Sequence, residues 1–424
     1  MIVRPFAAVR PNEQVASQVA ALPYDVYSRA EARRAVEGQP LSFLNIDRPE
    51  TQFAPDADMY APEVYAKARE MFDARCADGT YVQDESPCFY FYELEMEGHI
   101  QTGLVACCSI DDYLDDTIKK HENTLEAKER DRVRHIDALD AQTGPIFLTY
   151  RDNDKITDLI QFIRTATPLY DFTAEDGVGH RVWRVREPET IEALGQAFMR
   201  VSAAYVADGH HRAASAVKVG LSRREAARAY DGSEEFNYFL SVLFPASQLS
   251  ILAYNRVVHD LNGLGVDEFL ERVQDTFEIL HVQERPLEPV DKGAVAMYLQ
   301  GKWYGLGVLP KFESDDAVAG LDVSILQHRL LDPVLGIADP RTDERIEFVG
   351  GIHGTRALEH RVMVIEEKAR KEATLAQRGP AVAFAMFPTS MSELLAVADA
   401  GMLMPPKSTW FEPKLRSGLF IHRL

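Results

Sequence analysis

Five consecutive residues, Asp208, Gly209, His210, His211 and Arg212, offer side chains able to bind and polarise an anion. The apolar run at 203–206 reads as a buried strand, and 213–218 reads as a helix closed by Gly220. The five residues therefore belong on a strand-to-helix turn. Asp208 suits the N-cap, Gly209 permits a tight turn, and the first amides of the helix lack intrahelical partners. Together with the helix dipole those amides make a ready site for phosphate or another anion, to which Arg212 on the first turn could add a bidentate clamp. Two imidazoles at the same turn titrate or hydrogen-bond near neutral pH. A plain capped helix start uses the same residue types, and the two readings part on what the histidines and Arg212 find as partners.

A second group precedes it in the chain. Lys119, Lys120, His121, Glu122, Asn123 and Thr124 lead into a charged helix reaching about residue 139. Glu122 beside His121 is a candidate general base, while Lys128 and Arg132, four apart, share one helix face. A solvated helix entry with ordinary ion pairs is the competing reading. Upstream, Pro23-Tyr24-Asp25-Val26 marks an ordered turn before a helix beginning near Ser28, and Asp25 there either reaches a substrate or metal or satisfies turn donors. Near the C-terminus, Lys407, Ser408, Thr409 and Lys414 stand among Pro405, Pro406 and Pro413, which favour an extended path. That tail is expected to fold back toward the central motif and supply phosphate contacts, with a surface strand of solvated lysines as the alternative.

The elements that must position these groups follow from pattern. Residues 42–46 read as a short strand, 62–75 as a helix, and 88–96 with 102–110 as a hairpin. A strand at 144–150, a helix at 155–165, a strand at 180–185 and a helix at 188–199 lead up to the motif. After it, Ser222 and Glu225 resemble a capping box for a further helix, and 236–244 with 251–258 look like paired strands. The pattern resets near residue 260. Two domains, 1–259 and 260–424, are expected, the second an α+β unit with a hairpin around Gly301 and a late helix capped by Thr389.

Composition narrows the function. The chain has 424 residues with 46 Lys and Arg against 66 Asp and Glu, a formal net charge of −20, which lacks the basic footprint of a general nucleic-acid binder. Random duplex DNA is accordingly expected not to bind at physiological salt; a tight complex that weakens steeply with added salt in a gel-shift titration would refute this. The N-terminus carries no apolar signal core and no run has membrane-spanning length, so a cytoplasmic location is expected. Cys76, Cys88, Cys107 and Cys108 lack paired zinc spacing and read as reduced thiols.

His121-Glu122, a following helix, Gly144-Pro145-Ile146 before a strand, and Asp208-Gly209-His210-His211-Arg212 opening a helix together resemble the ParB/sulfiredoxin superfamily, in particular its free-serine kinase branch. Over nearly its whole length the chain also resembles a large bacterial and archaeal family known chiefly as a domain of unknown function, through Pro23-Tyr24-Asp25-Val26, the central motif and Met404-Pro405-Pro406-Lys407-Ser408-Thr409. The first resemblance implies a mixed α/β core with insertions, here joined to the C-terminal α+β unit, and an α+β class overall. It implies a nucleotide-dependent phosphotransferase, using ATP or ADP with Mg2+, that phosphorylates the hydroxyl of a small metabolite, L-serine first. By that resemblance Glu122 activates the hydroxyl with His121 beside it, and Gly209, His210, His211 and Arg212 bind phosphate. Asp208 is expected to serve catalysis and hold the metal, and Lys407, Ser408 and Thr409, by their residue types and their place in the whole-chain resemblance, to add contacts to the nucleotide. The long separation of Glu122 from Asp208 requires an insertion between the motifs. The superfamily's reductases would place a reactive Cys at the turn, where this chain has His210. A noncatalytic nucleotide-binding regulator with a protein or DNA partner is the alternative from another class.

Overall fold

The computed structural model describes residues 1–372 and 379–424 of a mixed α/β protein with several sheets. The chain forms two compact units, Met1–Leu249 together with Pro413–Leu424, and Ser250–Glu412.

The first unit is built on a nine-stranded mixed sheet. From one edge its order runs Ile118–Lys119, Ala204–Asp208, Ile146–Tyr150, Tyr238–Pro245, His99–Ser109, Phe89–Met96, Gly179–Val185 and Tyr170–Thr173, with Val3–Arg4 also on His99–Ser109. The predicted hairpin forms, Phe89–Met96 against His99–Ser109, and its aromatic residues enter the core rather than a surface. Two pairings are parallel, Ala204–Asp208 with Ile118–Lys119 and Tyr238–Pro245 with Ile146–Tyr150. Helix His210–Ala226 buries Ala213, Ala216, Val217 and Gly220, an i, i+3, i+4, i+7 stripe.

Gly220 does not close this helix. A Cβ there would lie 2.5 Å from the Phe236 carbonyl oxygen and 2.8 Å from Ile110, so the glycine is a packing residue and the helix continues through Ser222 without a second cap. Replacing Gly220 by Ala gains about 1 kcal/mol of helix propensity. Overpacking against a fixed carbonyl typically costs about 1–3 kcal/mol. The clash should win, and Gly220→Ala is expected to lower the urea midpoint of the first unit; an unchanged or raised midpoint would contradict that packing.

Other local expectations change for identifiable reasons. Residues 42–46 form helix Leu44–Asp47 rather than a strand, with the Asn45 amide donating to the carbonyls of Gln39 and Ser42 and holding the chain in a turn. The runs 236–244 and 251–258 do not pair, because Tyr238–Pro245 lies between Ile146–Tyr150 and His99–Ser109. The later run splits into Ser250–Leu252 and Tyr254–Val258 of the second unit. The C-terminal segment is stitched into the first unit: Ser417 bridges to Ala21, Ile421 to Val9, and His422–Arg423 pairs with Ala141–Gln142.

The second unit is a six-stranded antiparallel sheet, ordered Phe277–Gln283, Lys302–Val308, Ala294–Leu299, Val382–Met386, Tyr254–Val258 and Ile346–Gly350. Helix Gly354–Lys371 packs Leu358 and Val362 against Val257, Ala296 and Ala383 of the sheet. The helix expected after Thr389 is capped by Ser390 instead, in a capping box with Glu393. No helix among the described residues is long and apolar enough to cross a membrane, and Cys76, Cys88, Cys107 and Cys108 are all free thiols.

Candidate functional site

Strand Ala204–Asp208 ends with a register shift between Val206 and Asp208, a bulge that re-aims the chain at the motif. Gly209 follows at φ 92°, a left-handed conformation that L side chains rarely adopt. Gly209, not Asp208, is the N-cap, and no side chain caps the helix that begins at His210. Asp208 instead uses Oδ1 to accept the Gly209 amide at 2.8 Å and Oδ2 to accept Lys414 Nζ at 3.1 Å. Burial pushes its carboxyl upward, but Lys414 and Arg212 outweigh burial and hold it below the usual carboxylate range.

The parallel pairing of Ile118–Lys119 with Ala204–Tyr205 carries His121 and Glu122 alongside this turn. His121 and His210 meet edge to face with ring centroids 4.5 Å apart, and His210 Nδ1 lies 3.8 Å from Glu122 Oε2. The two rings are 1% and 5% exposed, yet both nitrogens of His121 and Nε2 of His210 are buried with no hydrogen-bond partner. Orphaned polar atoms in a dry recess are costly, and such groups concentrate where a ligand completes them. Burial pushes His121 down to about 4 and, reinforced by His121, drives His210 well below its ordinary value. Both are therefore neutral N–H donors at pH 7.

His211 and Arg212 point differently. His211 Nε2 accepts the Leu125 amide at 3.0 Å, immediately before helix Glu126–Leu139, so its neutral form carries the proton on Nδ1. Arg212 lies across Gly209 and Gly144, giving Nη1 to the Pro145 carbonyl at 2.6 Å while its Nε is buried without a partner. One arm of the expected clamp is thus engaged by backbone. Arg212 also borders a cavity of about 30 Å³ with Tyr24, Asp47, Arg132 and Ser417.

The structure brings His121 and Glu122 beside His210 at the turn formed by Asp208, Gly209, His210, His211 and Arg212. Lys407, Ser408 and Thr409 belong to the second unit, where Lys407 lies over the Tyr254 ring at 5.6 Å and Ser408 Oγ donates to the Pro405 carbonyl at 2.6 Å. Lys414 belongs to the first unit, on Asp208. Two further residues bear on the site: Glu129, which sequence reading did not single out, and Arg132, which it placed on a helix face with Lys128. Glu129 takes Thr124 and Lys218 on its carboxylate and the Ser215 hydroxyl on its carbonyl at 3.1 Å, latching helix Glu126–Leu139 to helix His210–Ala226. Arg132, expected on a solvated face, is buried against Asp131 at 2.7 Å and over the Tyr24 ring at 4.0 Å. Spacing four residues from Lys128 gave no sign of this.

Among the described residues no three His, Cys, Asp or Glu side chains converge as a metal cage, and both Asp208 oxygens are engaged by donors. The donor set does not fit a resident metal ion held by protein alone.

Among curated proteins no sequence match is found. Among solved structures, the chain is similar to SbnI with C-terminal truncation from Staphylococcus aureus, at 14% identity and TM-score 0.37, covering 74% of this chain and 85% of that one. It is similar to a free serine kinase variant in complex with ADP at 13% identity and TM-score 0.32, covering 74% and 92%. A conserved hypothetical protein from Pyrococcus furiosus gives 12% identity and TM-score 0.30, covering 74% and 94%. Residues 3–324 match the family model described as "Protein of unknown function (DUF1015)". With most of its length matched, the chain belongs to the DUF1015 family.

Proposed function

We propose that the turn at Asp208–Gly209–His210–His211–Arg212 is the phosphate site of a nucleotide-dependent phosphotransferase acting on the hydroxyl of a small amino-acid-like metabolite, L-serine being the first acceptor to try. The observation that carries this reading is the recess at the uncapped helix start, where neutral His121 and His210 hold buried, unpartnered nitrogens beside the Glu122 carboxylate. Phosphoryl transfer asks mainly for positioning and charge stabilisation. In this reading the helix amides and the imidazole N–H groups hold phosphate oxygens, and Arg212 swings its free edge toward them. Glu122 takes the acceptor hydroxyl's proton as the new P–O bond forms and the bond to the leaving nucleotide breaks. Asp208, pinned by Lys414 and the Gly209 amide, fixes the turn rather than reacting. ATP or ADP is the donor, and Mg2+, arriving with the nucleotide, would offset the charge on its phosphates. Nucleotide consumption across a panel of hydroxyl-bearing metabolites tests the proposal; binding without turnover on any of them would overturn it.

Arg212→Ala should weaken nucleotide binding by roughly 1.5–3 kcal/mol, the range for a charge-assisted hydrogen bond. An unchanged dissociation constant by calorimetry would remove Arg212 from the phosphate site.

A second reading, a noncatalytic nucleotide-responsive regulator with a protein or DNA partner, is favoured by one observation. Each Asp208 carboxylate oxygen already accepts a donor, the Gly209 amide or Lys414, which ties this carboxylate to the protein and not to a metal ion. Stoichiometric nucleotide binding with no product would select it.

A further inference from the structure

The first unit contains another cavity, of about 170 Å³, walled by the turn Tyr24–Val26, which the phosphate site leaves without a role. Its volume lies below the roughly 300–1,000 Å³ of pockets for drug-sized ligands, so its occupant has only a handful of heavy atoms.

The charges around it sort into two kinds. Arg48 Nε pairs with Glu50 at 2.6 Å and also donates from Nη1 to the carbonyls of Tyr24 at 2.9 Å and Tyr27 at 2.8 Å. Arg132 pairs with Asp131 at 2.7 Å, and Asp131 also accepts the Tyr65 hydroxyl at 2.8 Å. These four charges cancel within the wall and are held in place by further hydrogen bonds. What is left is one carboxylate, Asp25, and one ammonium, Lys128, both on the lining and both exposed. Neither makes a hydrogen bond or ion pair among the described residues.

A small cavity whose fixed charges are internally neutral, and whose two uncommitted charges are opposite, complements a small ligand bearing one charge of each sign. We propose that this cavity binds a free α-amino acid as its zwitterion, the ammonium group facing Asp25 and the carboxylate facing Lys128. Tyr24 and Arg132 also border the small cavity beneath Arg212, so the amino-acid pocket backs onto the residues of the phosphate turn. Its assignment as the acceptor pocket rests on the phosphotransferase reading; the binding itself does not.

The test is a calorimetric titration of the full-length protein, without nucleotide, using glycine, L-alanine, L-serine and L-threonine. At least one is expected to bind. For the one that binds best, the N-acetyl derivative, which lacks the ammonium charge, and the corresponding amine, which lacks the carboxylate, should each bind at least tenfold more weakly. Asp25→Asn should weaken the parent amino acid about tenfold and erase its advantage over the N-acetyl form, and Lys128→Gln should do the same relative to the amine. Both side chains are exposed and unpaired, so a urea melt is expected to show intact folding in each variant. Binding by none of the four, or affinity insensitive to either substitution, overturns the proposal. Failure of phosphotransfer is read separately, since this titration contains no nucleotide and scores amino-acid binding alone.

Discussion

Glu122→Gln should lower turnover about a hundredfold or more while leaving nucleotide affinity within a few-fold of the wild type. The amide keeps the size and the acceptor oxygen of the side chain near His210 Nδ1, so the recess stays shaped as before. It loses the ability to accept a proton from the acceptor hydroxyl. A hundredfold loss corresponds to about 2.7 kcal/mol of barrier, the ordinary scale for removing a general base. Single-turnover measurements at saturating nucleotide separate this from a binding defect. Survival of turnover within a few-fold would show that the proton leaves by another route, and His210, whose Nε2 is unpartnered, becomes the group to substitute next.

The second large effect is an acid-labile first unit. His121 is pushed down to about 4 and His180 to about 3 by burial, with Arg416 adding to the depression at His180. The His180 ring shows why it must remain neutral. Arg416 Nε donates to His180 Nε2 at 3.3 Å, which leaves the proton on Nδ1, facing the Tyr92 hydroxyl at 2.8 Å. In the unfolded chain both imidazoles return to about 6.5, so below that pH the unfolded state binds protons that the folded state refuses. Stability is therefore fully present above 6.5, falls as the pH drops below it, and levels only once the folded values are passed. At pH 5 each histidine removes roughly 2 kcal/mol, so the pair removes about 4 kcal/mol from a total that in most domains is about 5–15 kcal/mol. His210, depressed further, adds to the loss. Urea midpoints at pH 7.5 and pH 5.0 should show this drop, and His180→Gln should shrink it. A midpoint that stays constant over this range would mean that these imidazoles are not buried neutral.

What was legible in the sequence was local. The strand-to-helix turn could be read because apolar residues 203–206, a glycine and a helical stripe follow one another without interruption. Residues 42–46 misled because Phe43, Leu44 and Ile46 have the apolar density of a strand, and only Asn45 reaching back to Gln39 reveals the turn. Gly220 looked like a stop because its partner, the Phe236 carbonyl, comes from a later element. At the site, Glu122 and His210 could be nominated, but not their meeting. That depends on parallel pairing of residues 118–119 with 204–205, which no local spacing encodes. The Asp208 partner was similarly hidden. Lys414 was visible as a cation in the tail, but a proline-flanked lysine looks the same whether it is solvated or bound.

That tail has a consequence for how the protein is made. The carboxylate at the centre of the turn receives its cation from a residue 206 positions later, after the whole of Ser250–Glu412 has been translated. A ribosome carrying only the first 249 residues holds the short strand Ala141–Gln142 without its partner His422–Arg423, and an Asp208 without Lys414. The second unit can condense while the first still waits for its last segment. The order of synthesis thus runs against the order of the fold: the turn at Asp208–Arg212 is among the last parts of the molecule to be finished, and a nascent chain stalled within the second unit would lack the Lys414 contact that completes it.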